Sequence, residues 1–273
     1  MNITKATVLM TTYNRRGYVA ASIESVLAQR HADFELIIVD DHSDDGTEDI
    51  VANYARHDAR IRVIRNAANT GVAGSANTGL AAARYDLVAR HDDDDLMLPD
   101  RLGRQLDFMG KYPEVSAASA WAWLIDKSGR VIGRSCPKVD IDRGVASLEP
   151  SLFVDIIQPA TIFRRRDVMA IGGYRSFRQL QDRDLWGRLV TSGYRIAVQP
   201  EFLVHHRRHS NSLMTVELEQ IFESGDYIDA NIVRRLRGEE EVTLSQYRQL
   251  EASGPLLARL ARRRRRLSQI AFR

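Results

Sequence analysis

The stretch Leu36-Ile37-Ile38-Val39-Asp40-Asp41 joins four consecutive aliphatic residues directly to two carboxylates. An unbroken apolar run of this length is typical of a strand that is buried on both faces, as the strands of parallel sheets are. Polar residues directly after such a strand lie at its carboxyl end, where open α/β sheets bind ligands. The stretch therefore predicts a central parallel strand with a binding site at its end.

The first ninety residues around this stretch alternate short apolar runs with amphipathic segments, which is typical of βαβ units. Tyr13, Asp41 and Asp92 to Asp95 all follow predicted strands, so we expect them at one edge of the sheet. We predict an α/β fold with a mostly parallel central sheet flanked by helices. The predicted strands are 7–11, 36–39, 61–64 and 87–89, and the predicted helices are 18–29, 47–56 and 71–83.

The sequence after Pro99 has a different pattern, with fewer regular alternations and longer irregular stretches. We predict two halves, 1–98 and 99–213, and a basic helical extension at 214–273 that is charged and helical throughout. The elements predicted in the second half are a helix at 100–111, a strand at 115–120, a hairpin across 123–132, a loop at 133–150, a strand at 160–163, a helix at 182–191 and a strand at 195–198.

The composition is that of a globular protein. The chain has 273 residues, of which 44% are apolar and 27% charged, enough for one large core or two modest ones. The single cysteine, Cys136, excludes an intrachain disulfide framework and fits a reducing compartment. No apolar run reaches the roughly 18 residues of a membrane span, and the start lacks the pattern of a signal peptide. We therefore expect a cytoplasmic protein.

The net charge of +3 is unevenly distributed, because Arg262 to Arg266 form an unbroken basic block. A solvated helix end is one interpretation of this block. A second is peripheral contact with anionic lipids on the inner face of the membrane, since leucines on both sides could supply an apolar stripe. A third is nucleic-acid binding, but the chain has no recognisable nucleic-acid module, so we expect no nucleic-acid partner.

Asp92 to Asp95 are four consecutive aspartates, whose mutual repulsion favours a bound cation if the run is buried. Mg²⁺ and Mn²⁺ prefer carboxylate oxygens and commonly share their remaining positions with phosphate oxygens. The alternative is a solvated acidic loop in which Asp95 caps the helix that follows. The position directly after a strand favours the cation site.

Asp182 and a histidine cluster are further candidates for chemistry. Asp182 begins a predicted helix, so it is either an N-cap or a general base that takes a proton from a hydroxyl. His205, His206 and His209 could suggest zinc, but structural zinc sites need three or four ligands in closed geometry. One histidine that reaches a metal already held by aspartate is the favoured interpretation.

Six short segments stand in a recognisable order between residues 4 and 213. They are Thr11 to Arg15, Ile37 to Thr47, Asn69 to Val72, Asp92 to Pro99, Gly172 to Tyr174 and Gln181 to Trp186. This ordered set resembles the inverting family 2 glycosyltransferases, which have the glycosyltransferase A-type fold. The resemblance implies a Rossmann-like nucleotide-sugar-binding half at 1–98 and an acceptor and catalytic half at 99–213, together forming one catalytic domain.

The resemblance also implies the activity and its partners. A metal-dependent enzyme would transfer a sugar from a nucleoside-diphosphate sugar, with a UDP-sugar favoured, to an acceptor hydroxyl. The expected acceptor is a glycan or lipid-linked glycan of bacterial surface polysaccharide synthesis. The expected cofactor is Mn²⁺ or Mg²⁺.

The donor-binding residues implied by the resemblance lie in the first half. Thr11 and Tyr13 would line the nucleobase pocket, with Tyr13 packing on the ring. Asp41 would accept a hydrogen bond from the base, and Asn69 belongs to the same group of donor contacts. Asp93 would lie near the ribose or the diphosphate.

The remaining roles concern the metal and the chemistry. Asp92 and Asp94 match the two acids of the Asp-x-Asp signature of the family, with Asp92 a donor contact and Asp94 the direct metal ligand. His209 matches a histidine near the donor diphosphate and is a second candidate metal ligand. Asp182 matches the catalytic base.

Three positions depart from the family pattern. Gln181 replaces a glutamate beside the proposed base, and Ala76 replaces an arginine before Asn77. Arg90-His91 replaces the apolar pair usual before the acidic signature, and the sequence offers no physical account of that change.

Two other classes of protein remain open. A sugar-phosphate nucleotidyltransferase also uses an α/β sheet and aspartate-bound Mg²⁺, but it would carry a glycine-rich loop after the first strand, where this chain has Thr11 to Asn14. A sugar-nucleotide-binding protein without transferase activity is the second alternative, and Gln181 is the feature that favours it.

Overall fold

The computed structural model describes residues 5–137, 156–177, 180–208 and 218–253. The chain divides into two compact units, Met1–His209 and Ser210–Arg273. Most of the loop predicted at 133–150, the histidine His209 and the basic block Arg262 to Arg266 lie outside the described residues.

The first half of the first unit is a regular alternation of strands and helices, as the apolar periodicity predicts. Each predicted element is present, with ends that differ by at most three residues. The elements are β1 (Ala6–Thr12), α1 (Val19–Leu27), β2 (Phe34–Asp40), α2 (Thr47–His57), β3 (Ile61–Arg65), α3 (Gly71–Ala82) and β4 (Leu87–Asp92).

The second half of this unit is less regular than its sequence predicts. A short helix directly follows β8, and the strand predicted at 195–198 is 13 residues long. The elements are β5 (Leu96–Met97), α4 (Arg101–Lys111), β6 (Val115–Ile125), β7 (Val131–Ser135), a 3₁₀ turn (Gln158–Ala160), β8 (Ile162–Arg164), α5 (Arg165–Ala170), α6 (Gln181–Thr191) and β9 (Arg195–Arg207).

The described strands form one sheet in the order β3-β2-β1-β4-β8-β6-β9-β5, with β7 paired to β6. The strands β3, β2, β1 and β4 are mutually parallel, whereas β8 runs antiparallel to both β4 and β6. Thr11 is the register partner of both Val39 and Asp92. The carboxyl ends of β2, β1 and β4 are therefore level with one another, and the segments that follow them start side by side.

Strand β2 explains why the sheet is covered on both sides, because all seven of its residues are buried. Leu36 and Ile38 belong to a core cluster with residues of α1, α2 and α4. Ile37 and Val39 belong to a second cluster with residues of α3 and α6. Removing each such aliphatic side chain from water contributes about 1.5–3 kcal/mol, so β2 holds both helical layers to the sheet.

The described part of the second unit contains two helices, α7 (Leu218–Leu236) and α8 (Leu244–Ser253). The prediction of a wholly helical extension is wrong at 237–243, where Gly238 adopts a positive φ of 71° and the chain reverses. Asn231 Nδ2 donates to Val242 O and Val242 N–H donates to Asn231 Oδ1, which fixes this connection to α7. Among the described residues, no helix combines the length and apolar character needed to cross a bilayer.

Gly79 allows α3 to lie directly on β1 and β2. A Cβ atom at this position would stand 2.1 Å from Leu9 Cδ1 and 3.2 Å from Val39 Cγ2, and both of those side chains are 0% exposed. We expect Gly79→Ala to lower the free energy of unfolding by about 1–3 kcal/mol, because the extra carbon forces buried side chains to shift. Urea denaturation measures this loss.

Gly110 in α4 provides the matched control, since a Cβ atom there meets nothing within 4 Å. Gly110→Ala is expected to leave stability unchanged or to raise it by up to about 1 kcal/mol through helix propensity. Equal urea midpoints for the two variants would contradict the close approach of α3 to the sheet.

Candidate functional site

The level strand ends bring several of the predicted site residues together. Thr11 and Asp92 are neighbours across the β1–β4 pair, and Tyr13, Asp41 and Asp93 directly follow β1, β2 and β4. Tyr13 has 46% of its surface exposed, which leaves an aromatic face available to a planar ligand. The strand ends therefore form the edge at which the sequence predicts donor binding.

Asp41 is held by the start of helix α3. Its Oδ1 accepts from Asn66 Nδ2 (2.7 Å), Thr70 N–H (2.9 Å) and Thr70 Oγ1–H (3.0 Å), while Oδ2 accepts from Gly71 N–H at 2.8 Å. Burial alone raises the pKa of Asp41, but these hydrogen bonds outweigh it and hold the pKa below its usual value. Asp41 is thus an ionised carboxylate whose Oδ1 is committed to α3, and Oδ2 retains capacity for another donor.

Asn69 joins the same hydrogen-bonded turn. Its Nδ2 donates to the backbone oxygen of Asp41 at 3.3 Å, and its Oδ1 accepts from Gly71 N–H at 3.2 Å. These contacts place Asn69 beside the end of β2, next to the other predicted donor contacts.

Each member of the acidic run has a cationic partner within the protein. Asp92 Oδ1 is 3.1 Å from Arg90 Nη2, and Arg15 Nε lies 3.5 Å from Asp93 Oδ1 and 3.8 Å from Asp94 Oδ2. The run is therefore a largely buried cluster with internal counter-ions, and the interpretation as a solvated loop is wrong.

Asp95 has a structural role that differs from the predicted one. Its Oδ2 lies 2.9 Å from His206 Nδ1, and its Oδ1 accepts from Arg207 N–H at 2.6 Å. The capping interpretation is wrong, because Asp95 is 0% exposed and joins the acidic turn to the end of β9. Arg207 Nε also donates to Asp94 O at 2.7 Å, which secures the turn from the same strand.

Burial raises the pKa of Asp92, Asp93 and Asp95, and the neighbouring carboxylates raise it further. For His206, burial alone lowers the pKa, but the charge of Asp95 and the hydrogen bond to it raise the pKa above its usual value. Carboxyl groups that resist ionisation in this way are stabilised by an additional cation. The electrostatics of the run favour cation binding.

Arg90 and His91, which the sequence left unexplained, point to opposite faces of β4 because consecutive strand residues alternate. Both are 0% exposed. His91 Nδ1 lies 3.5 Å from Arg101 Nη1 of α4, and Arg101 Nη2 donates to Arg90 O at 2.7 Å. Burial, followed by the charges of the two arginines, lowers the pKa of His91, so its imidazole is neutral. The two side chains therefore place polar groups in the core on both sides of the sheet.

Asp182 is the second residue of α6 and partly exposed. The N-cap position belongs to Leu180, so the prediction of an N-cap at Asp182 is wrong, although its Oδ1 accepts from Arg183 N–H at 2.9 Å. Burial raises the pKa of Asp182, and this outweighs the opposing hydrogen bonds and the charges of Arg183 and Arg90. A raised pKa is the direction expected of a carboxylate that accepts a proton.

The segment before α6 is tied to α3 through Asn77. Asn77 Nδ2 donates to Tyr174 O at 2.7 Å, and Tyr174 N–H donates to Asn77 Oδ1 at 2.9 Å. Gly173, with a φ of 67°, permits this approach, because a Cβ atom there would stand 2.6 Å from Asn77 Oδ1. Ala76 is completely buried in the α3-side core, so in this chain the position before Asn77 contributes packing.

Tyr174 is a buried side chain whose pKa is raised by the charges of both Asp182 and Asp92. Its side chain is 3% exposed, and its hydroxyl accepts from Gln158 Nε2 at 3.0 Å. Burial raises the pKa of Tyr174 to about 12, and the charges of both Asp182 and Asp92 contribute to the increase. The charges of the proposed base and of the first acid of the run therefore both influence the pKa of this buried side chain.

The donor set for a metal consists of hard carboxylate oxygens, which suits Mg²⁺ or Mn²⁺. Asp94 keeps 17% and Asp92 33% of the side chain exposed, whereas Asp95 is fully buried. The described residues contain no group of three or more histidine, cysteine, aspartate or glutamate side chains arranged to hold a metal. Aspartates of the run would fit a cation that took its remaining ligands from a diphosphate and water.

Sequence reasoning missed the counter-ions of the run. The signal for Arg90 and His91 was two polar residues placed inside a buried strand directly before the aspartates. His206 and Arg207 lie in the polar part of a strand whose predicted end is residue 198, so the polar continuation of that strand was their signal. Arg15 gave no signal, because nothing in a loop sequence indicates which acid its side chain meets.

The model of the family described as "Glycosyl transferase family 2" matches residues 7–172, more than half of the chain. Putative glycosyltransferase EpsE of Bacillus subtilis is 36% identical over 195 residues, which are 70% of this chain and 68% of that protein.

Two solved structures are similar in fold. S. aureus TarS 1-349 in complex with UDP-GlcNAc has a TM-score of 0.66 at 18% identity, covering 92% of this chain and 76% of that one. Mannosyltransferase PcManGT from Pyrobaculum calidifontis, in complex with GDP-Man and Mn²⁺, has a TM-score of 0.63 at 17% identity, covering 98% and 80%. These likenesses confirm the predicted glycosyltransferase A-type fold. The match to the family model and the similarity to EpsE show that this chain is a glycosyltransferase and belongs to glycosyl transferase family 2.

Proposed function

We propose that the chain is a metal-dependent inverting glycosyltransferase that moves a sugar from a UDP-sugar to an acceptor hydroxyl. The observation that carries the proposal is the largely buried acidic run at the end of β4, level with Thr11 on β1. The charges of Asp92 in this run and of Asp182 both raise the pKa of the buried Tyr174. This arrangement combines a place for a charged leaving group with a carboxylate whose raised pKa suits proton transfer.

The donor would bind at the level strand ends. Tyr13 packs on the nucleobase, Thr11 lines its pocket, and Asp41 Oδ2 accepts from an N–H of the base. Uracil offers such an N–H, and the similar structure of TarS holds UDP-GlcNAc, so a UDP-sugar is the proposed donor. Asn69, Asp92 and Asp93 complete the contacts to the ribose and diphosphate.

Asp94 would hold the divalent cation, and His209 is a second candidate ligand. A bound Mn²⁺ or Mg²⁺ supplies Lewis-acid neutralisation of the departing diphosphate. The exposure of Asp94 and the raised pKa values of its neighbours support a cation here, as does the Mn²⁺ in PcManGT.

Asp182 would act as the general base. It takes the proton of the acceptor hydroxyl, whose oxygen attacks the anomeric carbon from the face opposite the diphosphate, and the configuration inverts. The arrangement parallels that of inverting glycosidases, in which a carboxylate activates the nucleophile across the sugar ring. No covalent sugar-enzyme intermediate is required.

The proposed acceptor is a glycan or a lipid-linked glycan of a surface polysaccharide. Contact of Arg262 to Arg266 with anionic headgroups at the inner membrane face would bring the enzyme to a lipid-linked acceptor. Both statements rest on the family resemblance and the basic block.

The role of Asp182 is tested by Asp182→Asn, which keeps the side-chain shape and removes the basic oxygen. We expect transfer to fall by at least about 10²-fold, in the range typical of general-base catalysis, while the dissociation constant for the donor stays within about threefold of wild type. Product release and calorimetric donor titration measure the two quantities.

Asp49→Asn is the matched control, because Asp49 is an exposed acid in the first turn of α2. It should transfer at the wild-type rate. Transfer by Asp182→Asn at the wild-type rate would remove Asp182 from the role of base.

The metal and the nucleotide are tested together by thermal shifts with UDP-, GDP- and dTDP-sugars, each with and without Mn²⁺. We expect the largest stabilisation with a UDP-sugar plus Mn²⁺, because ligand binding to the folded state raises the melting temperature. Asp94→Asn should lose the Mn²⁺-dependent part of the shift.

Two results would contradict this part of the proposal. Unchanged turnover in excess chelator would exclude the metal, and a stabilisation specific to GDP- or dTDP-sugars would exclude a UDP-sugar as the donor. Donor binding without transfer to any glycan or water would instead favour a sugar-nucleotide-binding protein.

A further inference from the structure

Arg90 is a buried cation in the middle of the proposed site. It lies on the same face of β4 as Asp92, because residues two apart on a strand share a face. Its cross-strand partner on β1 is Leu9, whose side chain belongs to the core between the sheet and the α3 and α6 layer. Arg90 is 0% exposed, so its guanidinium interacts with the protein interior and not with solvent.

The guanidinium of Arg90 connects two strand ends that are adjacent in the sheet. Its Nη1 donates to Leu9 O at 2.9 Å, and its Nη2 lies 3.1 Å from Asp92 Oδ1 and 3.4 Å from Thr11 Oγ1. Thr11 and Asp92 are both proposed donor contacts. One side chain thus touches a residue on each wall of the donor pocket, and its planar, forked geometry allows both contacts at once.

The charge of Arg90 reaches beyond the donor contacts. It favours the ionised form of Asp182, although burial is the larger influence and leaves the pKa of that acid raised. Among the residues that the structure describes, the charged and titratable groups that interact electrostatically with Asp182 include Arg183 on its own helix, Arg90 on β4 and Tyr174 before α6. Arg90 is the member of this set that also contacts a donor-site carboxylate.

A buried guanidinium is costly unless it is paired, and Arg90 is paired with Asp92 and donates to Leu9 O. We propose that Arg90 is a positioning residue of this glycosyltransferase, which clamps Thr11 and Asp92 together for the donor and provides a shared counter-charge for Asp92 and the base Asp182. The inference rests on the proposed function for its catalytic part and on nucleotide binding alone for its positioning part.

The two parts of the role are separated by two substitutions. Arg90→Met removes the charge and the clamp and keeps much of the side-chain volume. Arg90→Lys keeps the charge but cannot donate in the forked geometry that reaches both strand ends.

Arg164 provides a matched control, since it is another buried arginine, 5% exposed, at the opposite end of the β4–β8 pair. Its Nε donates to Val115 O at 3.0 Å and its Nη2 to Met109 O at 2.9 Å, away from the acidic run. Arg164→Met therefore removes a buried guanidinium that holds only backbone carbonyls.

The experiment measures three quantities for each variant: the melting temperature, the dissociation constant for UDP with Mn²⁺, and the pH dependence of kcat. We expect both Arg90 variants to bind UDP about tenfold more weakly than wild type, which corresponds to the loss of one charge-assisted contact. In Arg90→Met the acid limb of the kcat profile should move to higher pH, because Asp182 loses a cation that favours its ionised form. In Arg90→Lys that limb should stay near the wild-type position.

Arg164→Met should lose thermal stability while its UDP affinity and its pH profile remain those of wild type. The proposal is overturned if Arg90→Met keeps wild-type UDP affinity, or if its acid limb does not move. It is also overturned if Arg164→Met reproduces both changes, because Arg90 would then act only through general stability.

The outcomes also distinguish this inference from the proposed function. If Arg90→Met does not fold, the UDP affinity of Arg90→Lys decides, and a wild-type affinity rejects the clamp. If the wild-type protein binds UDP but transfers no sugar, the proposed function fails while the binding measurements still decide the positioning role. If the wild-type protein binds no nucleoside diphosphate, both fail.

Discussion

The balance of charge at the end of β4 is the constraint on which the rest of the site depends. Four adjacent aspartates are brought to one edge of a sheet whose interior is apolar, and their burial raises the pKa of three of them. Cations from the chain offset part of this charge, each from a different element. Arg90 comes from β4 itself, Arg15 from the segment after β1, and the His206–Arg207 pair from the end of β9. Because these acids are held in place by partners within the protein, little ordering of their side chains is needed when a ligand binds.

The same constraint gives the four aspartates different roles. Both carboxylate oxygens of Asp95 contact residues of β9, and these contacts join the two halves of the first unit. Asp92 is oriented by Arg90, and Asp94 remains the more accessible neighbour of Arg15. The ionised form of Asp41 is stabilised differently. The amide hydrogens at the start of α3 donate to its carboxylate and hold its pKa low without a cation. In this chain the acids are therefore positioned both by the start of a helix and by a buried arginine.

The fold of the first half was predictable from the sequence because local periodicity there agrees with the tertiary structure. Helices with apolar stripes and strands with continuous apolar runs leave little choice for β1 to β4, and the acidic segments follow the strand ends. The second half was less predictable. Strand β9 continues to Arg207 because its polar residues pair with β6 and β5, and α5 forms in a segment too short for a periodic signal. Asp95 was misassigned for a related reason, since its partner lies 111 residues further along the chain.

The sequence by itself determined the α/β class, the family and the identity of the acids at the strand ends, because these depend on local patterns and on the order of short motifs. Only the tertiary structure decided which cation meets which carboxylate, and it gave Arg90 and His91 a place on opposite faces of one strand. Ion pairs form between side chains that the fold brings close in space, and sequence separation does not encode that proximity. The charge balance of the site is therefore a property of the folded chain, whereas its list of acids can be read from the sequence.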